Sequence, residues 1–259
     1  MPGKKALLIG LNYPLDARNR LYGCVNDVKL MSAHLTNKCG FKPADVTIVS
    51  DEFIKNIPGT SYISLLERIY DLAIASWREN LDLVVFHYSG HGTQMYDITN
   101  DEKDGRDEGI VPTDFAIHGP LIDDTLNNAF MKFNPKTRVI CVMDCCHSGS
   151  ILDLPLCYDN GVQIDSGQKA RFNVPTGPNI IMLSGCRDPE TSADAFDAER
   201  NMRTGALTSA LLAVLQGSTT PVPAIALQKA VNEKLKAKGF TQYALLASSK
   251  PIMANMPLL

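Results

Sequence analysis

Short, continuous apolar runs alternate along the chain with stretches whose apolar residues recur every three to four positions. The runs predict strands, because they have the length and the Val/Ile/Leu content of strands buried on both faces. They occupy residues 6–9, 46–49, 83–88, 139–143, 180–183 and 243–247. The periodic stretches predict helices at about residues 26–34, 62–76, 123–130, 204–215 and 223–235. This alternation predicts an α/β fold with a mostly parallel central sheet flanked by helices on both faces.

One long polar segment interrupts the pattern. Residues 153–178 are turn-rich without a clear period, which predicts a surface loop. The loop separates a larger N-terminal part, about residues 1–152, from a smaller C-terminal part, residues 179–259. Neither part alone could bury a parallel sheet, so the prediction is a single domain over residues 1–259.

The composition narrows the class of protein. A hydrophobic fraction of 45% and a charged fraction of 20% are ordinary for a globular protein. The net charge of -3 and the lack of a Lys/Arg-rich run give no reason to expect nucleic acid as a partner. No apolar stretch approaches the roughly 18 residues that span a bilayer, and the first apolar run is too short for a signal peptide. The seven cysteines are odd in number and irregularly spaced, which predicts free thiols and a cytoplasmic location.

Two short motifs carry the candidate chemistry. YSGHG at residues 88–92 and DCCHSG at residues 144–149 each follow a predicted buried strand. Ligands of such sheets bind beyond the carboxyl ends of the strands, so His91 and Cys146 are expected close together. A thiol with an ordinary pKa of about 8.5 is mostly protonated at neutral pH, and a positioned histidine can take its proton and later pass it to a leaving amine. The motifs predict Cys146 as a nucleophile and His91 as its base and acid.

The same motif offers a rival nucleophile, Cys145, and a rival base, His147. Side chains alternate across an extended segment, so if Asp144 and Cys146 face a cleft, Cys145 packs away from it. His147 then has a structural role and is not the base. A zinc site built from Cys145, Cys146, His147 and His91 remains a further possibility, although no Cys-x-x-Cys spacing supports it.

The residues of these motifs and their order along the chain resemble those of the metacaspases, which are caspase-like cysteine peptidases. The histidine precedes the cysteine by about fifty residues, as in caspases. The resemblance covers nearly the whole chain, including GCVND at 23–27, LSGC at 183–186 and TSADA at 191–195. It implies a caspase-like α/β/α sandwich with a p20-like and a p10-like part, and a nucleophile directly before His-Ser-Gly, which is Cys146. It also implies an oxyanion hole formed by the N–H groups of Gly92 and Cys146.

The resemblance further implies specificity for protein and peptide substrates with a basic residue before the scissile bond (P1). Carried over to this chain, the S1 pocket consists of Asp27 and Asp144, with Cys24 and Ser89 beside them. A carboxylate two positions before the nucleophile, on the same face, suits a guanidinium or ammonium group and repels Asp. The alternatives are purely structural roles: a helix N-cap for Asp27 and a strand-end turn for Asp144. These roles can coexist with substrate binding.

The acidic segment between the motifs suggests a metal. Nine carboxylates between residues 97 and 124 meet only two basic residues and would repel one another unless solvated or neutralised. Carboxylate oxygens are preferred calcium ligands, yet the segment is not an EF-hand, because the twelfth loop position is a valine and not a glutamate. A solvated loop is the alternative. The metacaspase resemblance implies a Ca²⁺ activator held by four residues from three loops: Asp107, Asp123, Asp124 and Asp153.

Three further expectations follow from the resemblance. The chain is expected to be a minimal, type I-like member without a prodomain. It is expected to be a monomer, because the sheet edge through which caspases dimerise is typically covered in this family. Self-cleavage is expected at basic residues, for which Lys169, Arg171 and Arg187 are candidates.

Two rival functions remain. The first is a catalytically silent caspase-fold interaction protein acting in proteostasis. The second is a nucleotide-binding doubly wound domain. No Gly-x-Gly-x-x-Gly follows the first strand and no Walker motif occurs, so the sequence gives this second rival no support.

Overall fold

The secondary structure comes from a computed structural model, which describes residues 3–96, 105–146, 148–166, 177–186, 195–197 and 200–259. These residues form thirteen strands and six α-helices. The strands are β1 (Lys4–Gly10), β2 (Val46–Ser50), β3 (Leu83–Ser89), β4 (Gly92–Tyr96), β5 (Arg106–Ile110), β6 (Leu121–Ile122), β7 (Arg138–Asp144), β8 (Leu156–Asp159), β9 (Val162–Ile164), β10 (Asn179–Cys186), β11 (Ala195–Asp197), β12 (Met202–Thr204) and β13 (Tyr243–Ser248). The helices are α1 (Cys24–Lys38), α2 (Tyr62–Arg78), α3 (Phe115–His118), α4 (Asp123–Phe130), α5 (Ala206–Gly217) and α6 (Ala224–Ala237).

Within the described ranges, eight strands build one central sheet in the order β2-β1-β3-β7-β10-β13-β8-β9. Neighbours from β2 to β10 run parallel, and β13, β8 and β9 are added antiparallel. Helices α2 and α4 pack on one face, while α1, α5 and α6 pack on the other. The predicted α/β architecture with a mostly parallel sheet between helical layers is confirmed.

All six predicted strands and all five predicted helices are present, mostly one to four residues longer than predicted. Helix α2 shows why the pattern works: the Ser61 side chain caps its N-terminus, and Leu65, Ile69 and Leu72 form its buried face. Helix α1 starts at Cys24, two residues earlier than predicted, with Gly23 as its N-cap. Among the described residues, no helix has the length and apolar character needed to cross a membrane.

The segment predicted as a surface loop, residues 153–178, contains strands β8 and β9, so for residues 156–164 that prediction was wrong. Both strands are too short for a period to show, and their place depends on backbone pairing with β13. Asn160 and Gly161 join them, with φ of 48° and 85°. An Asn-Gly pair with positive φ is the usual two-residue hairpin turn, so residues 160–161 carry a local signal for this hairpin.

A second, smaller sheet was also not predicted. Strands β4, β5 and β6 pair antiparallel, and β4 begins at Gly92, directly after the candidate base. Four of the nine acidic residues lie at positions 97, 101, 102 and 104, outside the described residues, as does His147.

Candidate active site

The two motifs meet at one edge of the central sheet. Strands β3 and β7 are parallel neighbours whose last residues, Ser89 and Asp144, lie opposite each other. His91 and Cys146 each follow two residues later, and the Gly90 N–H donates to the Asp144 carbonyl at 3.4 Å. A Cβ atom added to Gly92 would overlap the Cys146 carbonyl oxygen, so the backbones touch there. The fold thus brings both motifs together, as the strand-end argument predicted.

The two adjacent cysteines have different surroundings. Cys145 is fully buried within the apolar cluster on the α2/α4 face, and burial raises the pKa of its thiol well above the ordinary range. Cys146 is only partly buried. A nucleophilic thiol must reach the substrate and lose its proton, so this difference favours Cys146.

A main-chain carbonyl orients the His91 ring. Its Nε2 atom lies 2.7 Å from the Asn19 carbonyl oxygen. A carbonyl can only accept, so we assign the ring proton to Nε2, which leaves Nδ1 as the basic atom of the neutral ring. Sequence reasoning missed Asn19, because the contact uses its main chain and its side-chain type carries no signal.

Two buried tyrosines fix the main chain of His91. The Tyr88 hydroxyl donates to the His91 carbonyl at 2.7 Å, and the His91 N–H donates to the Tyr13 hydroxyl at 3.0 Å. The Tyr13 hydroxyl in turn donates to the Val111 carbonyl at 2.7 Å. The rings of Tyr13 and His91 also pack with their centroids 4.8 Å apart. His91 is therefore held through both its backbone and its ring.

Asp51 holds Tyr13 in place. Its two carboxylate oxygens accept from the N–H groups of Asn12 and Tyr13, at 2.8 and 2.6 Å. Tyr13 has a φ of 51°, which is unusual for a bulky residue and persists because these contacts hold it. Sequence reasoning missed Tyr13, Tyr88 and Asp51. Both Tyr13 and Asp51 follow strands whose carboxyl ends lie at the active edge, so the rule that found His91 could have found them.

The two predicted S1 carboxylates lie together around Gly205, the N-cap residue of α5. Asp27 accepts from the Ser89 hydroxyl at 2.6 Å and from the Gly205 N–H at 2.9 Å. Asp144 Oδ2 accepts from the Thr208 N–H at 2.8 Å. A Cβ atom on Gly205 would collide with both carboxylates. Asp27 lies inside the first turn of α1 and does not cap it, so that alternative role is not what the structure shows.

Asp144 sits in an unusual electrostatic setting. Burial raises the pKa of its carboxyl to about 6, while hydrogen bonding to Thr208 and to the Leu207 backbone acts in the lowering direction. Its second oxygen, Oδ1, is buried and has no hydrogen-bond partner in the described part of the chain. The Thr208 hydroxyl also lies 3.1 Å from His87 Nε2, and burial lowers the pKa of His87 to about 3, so that ring is neutral.

All four predicted S1 residues are completely buried: Cys24, Asp27, Ser89 and Asp144. A substrate side chain can reach the carboxylates only if the atoms that cover them move aside. The structure therefore places the pocket residues together but in a closed arrangement.

The predicted calcium ligands come from separate elements. Asp107 lies in β5, Asp123 and Asp124 open α4, and Asp153 lies in the loop after Cys146. Three of them, Asp107, Asp123 and Asp153, are at most 3% exposed. Burial and the neighbouring charges of Asp153 and Asp107 raise the pKa of Asp123 to about 8. Mutual repulsion of this kind is what a cation would relieve.

The donor atoms of these four residues suit calcium, but their side chains do not form a complete coordination site. The donors are carboxylate oxygens, which calcium prefers. Both Asp123 oxygens already accept backbone N–H groups, from Glu108 at 2.6 Å and from Asp124 at 2.8 Å. Among the described residues, no group of three or more His, Cys, Asp or Glu side chains is arranged to hold a metal ion.

The chain resembles caspases in its fold and metacaspases in its sequence. A caspase-1 from Spodoptera frugiperda superposes with a TM-score of 0.58 at 14% identity, covering 99% of this chain and 92% of the other, so the fold is caspase-like. A protein from Geobacter sulfurreducens superposes with a TM-score of 0.67 at 25% identity, over 99% and 97% of the two chains. The family profile "Metacaspase, peptidase C14 domain" matches residues 4–155. The chain belongs to the metacaspase family of cysteine peptidases.

Fungal relatives agree with this assignment. Metacaspase-1 of Candida glabrata is 32% identical over 98% of this chain and 74% of its own length. Metacaspase-1A of Neurospora crassa is 32% identical over 98% of this chain and 64% of its own length. The chain therefore spans about two thirds to three quarters of these relatives.

Proposed function

We propose that the protein is a calcium-stimulated cysteine endopeptidase that cleaves peptide bonds after Arg or Lys. Cys146 is the nucleophile, and His91 is the base and then the acid. Asp27 and Asp144 bind the P1 side chain, with Cys24 and Ser89 beside them.

One observation carries the basic P1 preference: the buried Oδ1 atom of Asp144 that lacks a partner in the described residues. Leaving a buried carboxylate oxygen unpaired costs free energy, and a guanidinium or ammonium group from the substrate would satisfy it. Asp27 lies beside Asp144 at Gly205, where a Cβ atom would collide with both side chains, and adds a second carboxylate. An acidic P1 side chain would meet repulsion from both.

The proposed catalytic cycle uses His91 first as a base and then as an acid. Its Nδ1 atom takes the thiol proton of Cys146, and Sγ attacks the scissile carbonyl carbon to form a C–S bond. The N–H groups of Gly92 and Cys146 stabilise the developing oxyanion. The C–N bond then breaks as His91 gives its proton to the leaving amine, and water activated by His91 hydrolyses the acyl-enzyme. The Asn19 carbonyl keeps Nε2 protonated and stabilises the imidazolium that forms between these steps.

Calcium is the proposed activator. It would be held by Asp107, Asp123, Asp124 and Asp153, and when bound it would neutralise their mutual repulsion. Asp153 follows Cys146 by seven residues, and its N–H donates to the Ser150 carbonyl at 2.7 Å, so it lies in a turn of the chain that leaves the nucleophile. Fixing Asp153 would order the chain that leaves the nucleophile, which is the proposed link between calcium and activity.

Three features of the proposal concern processing, assembly and location. Self-cleavage is proposed at Lys169, Arg171 or Arg187, which lie outside the described residues. A monomer is proposed, because β8 and β9 cover the outer edge of β13. A cytoplasmic location is proposed, because the six cysteines whose side chains the structure describes are free thiols.

Peptide hydrolysis tests the function. Fluorogenic peptides that differ only in P1 (Arg, Lys or Asp) are incubated with millimolar calcium or with chelator, beside Cys146→Ala protein. The proposal predicts cleavage after Arg and Lys only, stimulated by calcium and lost in the variant. Cleavage after Asp, or activity retained by Cys146→Ala, contradicts it.

The closed arrangement of the S1 residues favours a second candidate, a catalytically silent interaction protein of the same fold. A protein that never opens the pocket would leave every Arg and Lys peptide intact in the same assay, also in the presence of calcium. A covalent Arg-directed probe separates the two, because it labels only a thiol that substrates can reach.

A further inference from the structure

A cavity of about 270 Å³ lies beside His91. Its walls belong to the α2/α4 side of the sheet, because Val111 is part of the apolar cluster on that face and Phe115 packs against it. The S1 carboxylates lie on the other side, where α1 and α5 pack. Six of its lining residues matter here: His91, Gly92, Met95, Val111, Phe115 and Pro120.

The chemistry of this cavity differs from that of the S1 pocket. Met95, Val111, Phe115 and Pro120 give it apolar walls, and its polar lining residues are Asn19, His91 and Thr93. Met95 is 46% exposed, so the cavity is in contact with solvent. A preformed, mainly apolar cavity with a few polar groups at its edge is suited to an apolar side chain.

The position of the cavity decides which part of a substrate would reach it. This step rests on the proposed function. The P1 side chain enters toward Asp27 and Asp144, on the α1/α5 side. The leaving amine must lie within reach of His91, which protonates it, so the C-terminal half of the substrate passes the His91 side. The cavity shares His91 and Gly92 with the catalytic edge and continues from it on that side.

We propose that this cavity binds an apolar side chain of the leaving peptide, one or two residues after the scissile bond. Hydrogen bonds connect Val111, in the cavity wall, to His91, the proposed base. The Val111 N–H donates to the His91 carbonyl at 3.2 Å, and the Val111 carbonyl accepts from the Tyr13 hydroxyl that also accepts the His91 N–H. A side chain packed on Val111 therefore sits at a fixed distance from the base.

The test uses peptides that are identical up to and including the P1 Arg. The two following positions carry Leu or Phe in one set, and Asp, Lys or Gly in the other. We expect kcat/KM to be about tenfold higher for the apolar set, the size of effect that one well-placed apolar group has in a pocket. Binding of the same peptides to Cys146→Ala protein, followed by fluorescence anisotropy, gives the same ranking without catalysis.

Two variants with matched controls locate the effect. Phe115→Ala and Met95→Gln are expected to reduce the tenfold preference to about threefold or less. Their controls are neighbours that do not line the cavity, Ile117→Ala (81% exposed) and Tyr96→Gln (89% exposed), which should keep the preference. An Arg methyl ester, whose leaving group is only methanol, should be cleaved equally by all four variants.

The outcomes separate this inference from the proposed function. Equal cleavage and equal binding of both peptide sets would overturn the inference, and so would a preference that survives both cavity variants. Absence of cleavage after Arg in every peptide would instead count against the proposed function. In that case the anisotropy ranking still decides the inference: tighter binding of Leu and Phe peptides supports it, and equal binding overturns it.

Discussion

Asp144→Asn should separate substrate recognition from stability. The substitution keeps the shape of the side chain, and its carbonyl oxygen can still accept from the Thr208 N–H. It removes the negative charge that is proposed to bind a basic P1 side chain. A hydrogen bond between charged groups contributes about 1.5–3 kcal/mol, which corresponds to a loss of about 10- to 150-fold in kcat/KM for Arg peptides.

The effect of the same substitution on stability has the opposite sign. Burial raises the pKa of Asp144 from 3.8 to about 6, so the folded state binds this proton more tightly than the unfolded state. Stability is therefore lost as the pH rises from about 4 to about 6, and at neutral pH the ionised carboxylate costs at most about 3 kcal/mol. Asn removes that cost, although its amide nitrogen would occupy the place of Oδ1 without a partner. The melting temperature of the variant should equal or exceed that of the wild type at pH 8, and the advantage should vanish at pH 4.

Both quantities can be measured on one set of proteins. Thermal unfolding followed by circular dichroism at several pH values gives stability, and initial rates with Arg peptides give kcat/KM. Asp71→Asn, at an exposed position of α2, serves as the control and should change neither. The reasoning is refuted if Asp144→Asn lowers the melting temperature at pH 8, or if it cleaves Arg peptides as well as the wild type.

Three further substitutions test other parts of the site. Asp123→Asn should reduce the increase in melting temperature that calcium produces in the wild type, because it removes one of the four proposed carboxylate ligands. Thr208→Val should raise KM for Arg peptides about fivefold with little change in kcat, because it removes the hydroxyl between His87 and Asp144, whereas Thr208→Ser should behave as the wild type. Gly92→Ala should reduce cleavage by about 100-fold, because its Cβ would displace the Cys146 backbone.

Each of these expectations has a contradicting result. An unchanged calcium-induced shift in Asp123→Asn would remove that residue from the proposed ligands. Equal KM values for Thr208→Val and Thr208→Ser would show that the hydroxyl does not position Asp144. Gly217→Ala is the control for Gly92→Ala, since a Cβ there meets no atom within 4 Å. If both glycine variants keep full activity, the close approach at Gly92 has no catalytic consequence.

The sequence was sufficient to predict six of the eight strands of the central sheet and the meeting of the two motifs at its edge, because both follow from local patterns. Apolar runs located the parallel strands, and the rule that parallel strands end at one edge placed His91 beside Cys146. The same sequence could not reveal how the two predicted S1 carboxylates are held. Asp27 accepts a hydrogen bond from the N–H group of Gly205, 178 residues away, and only the packing of α5 against the sheet creates that contact.

Two kinds of feature escaped prediction for physical reasons. Asn19 acts through its carbonyl oxygen, and every residue carries one, so side-chain identity gives no signal. Strands β8 and β9 are three or four residues long and are stabilised by pairing with β13, which no local pattern encodes. Tyr13 and Asp51 were different, because they follow β1 and β2 at the active edge and could have been found by the rule used for His91.

The most direct test of the central claim is to identify which thiol reacts with a substrate-like probe. A peptide ketone with Arg at P1 and a leaving group that thiolates displace is incubated with the protein and calcium, and the adduct is located by mass spectrometry. The account predicts one adduct, on Cys146, that is lost in His91→Ala and does not form with the matching Asp probe. An adduct on Cys145, or equal labelling by the Asp probe, would contradict it.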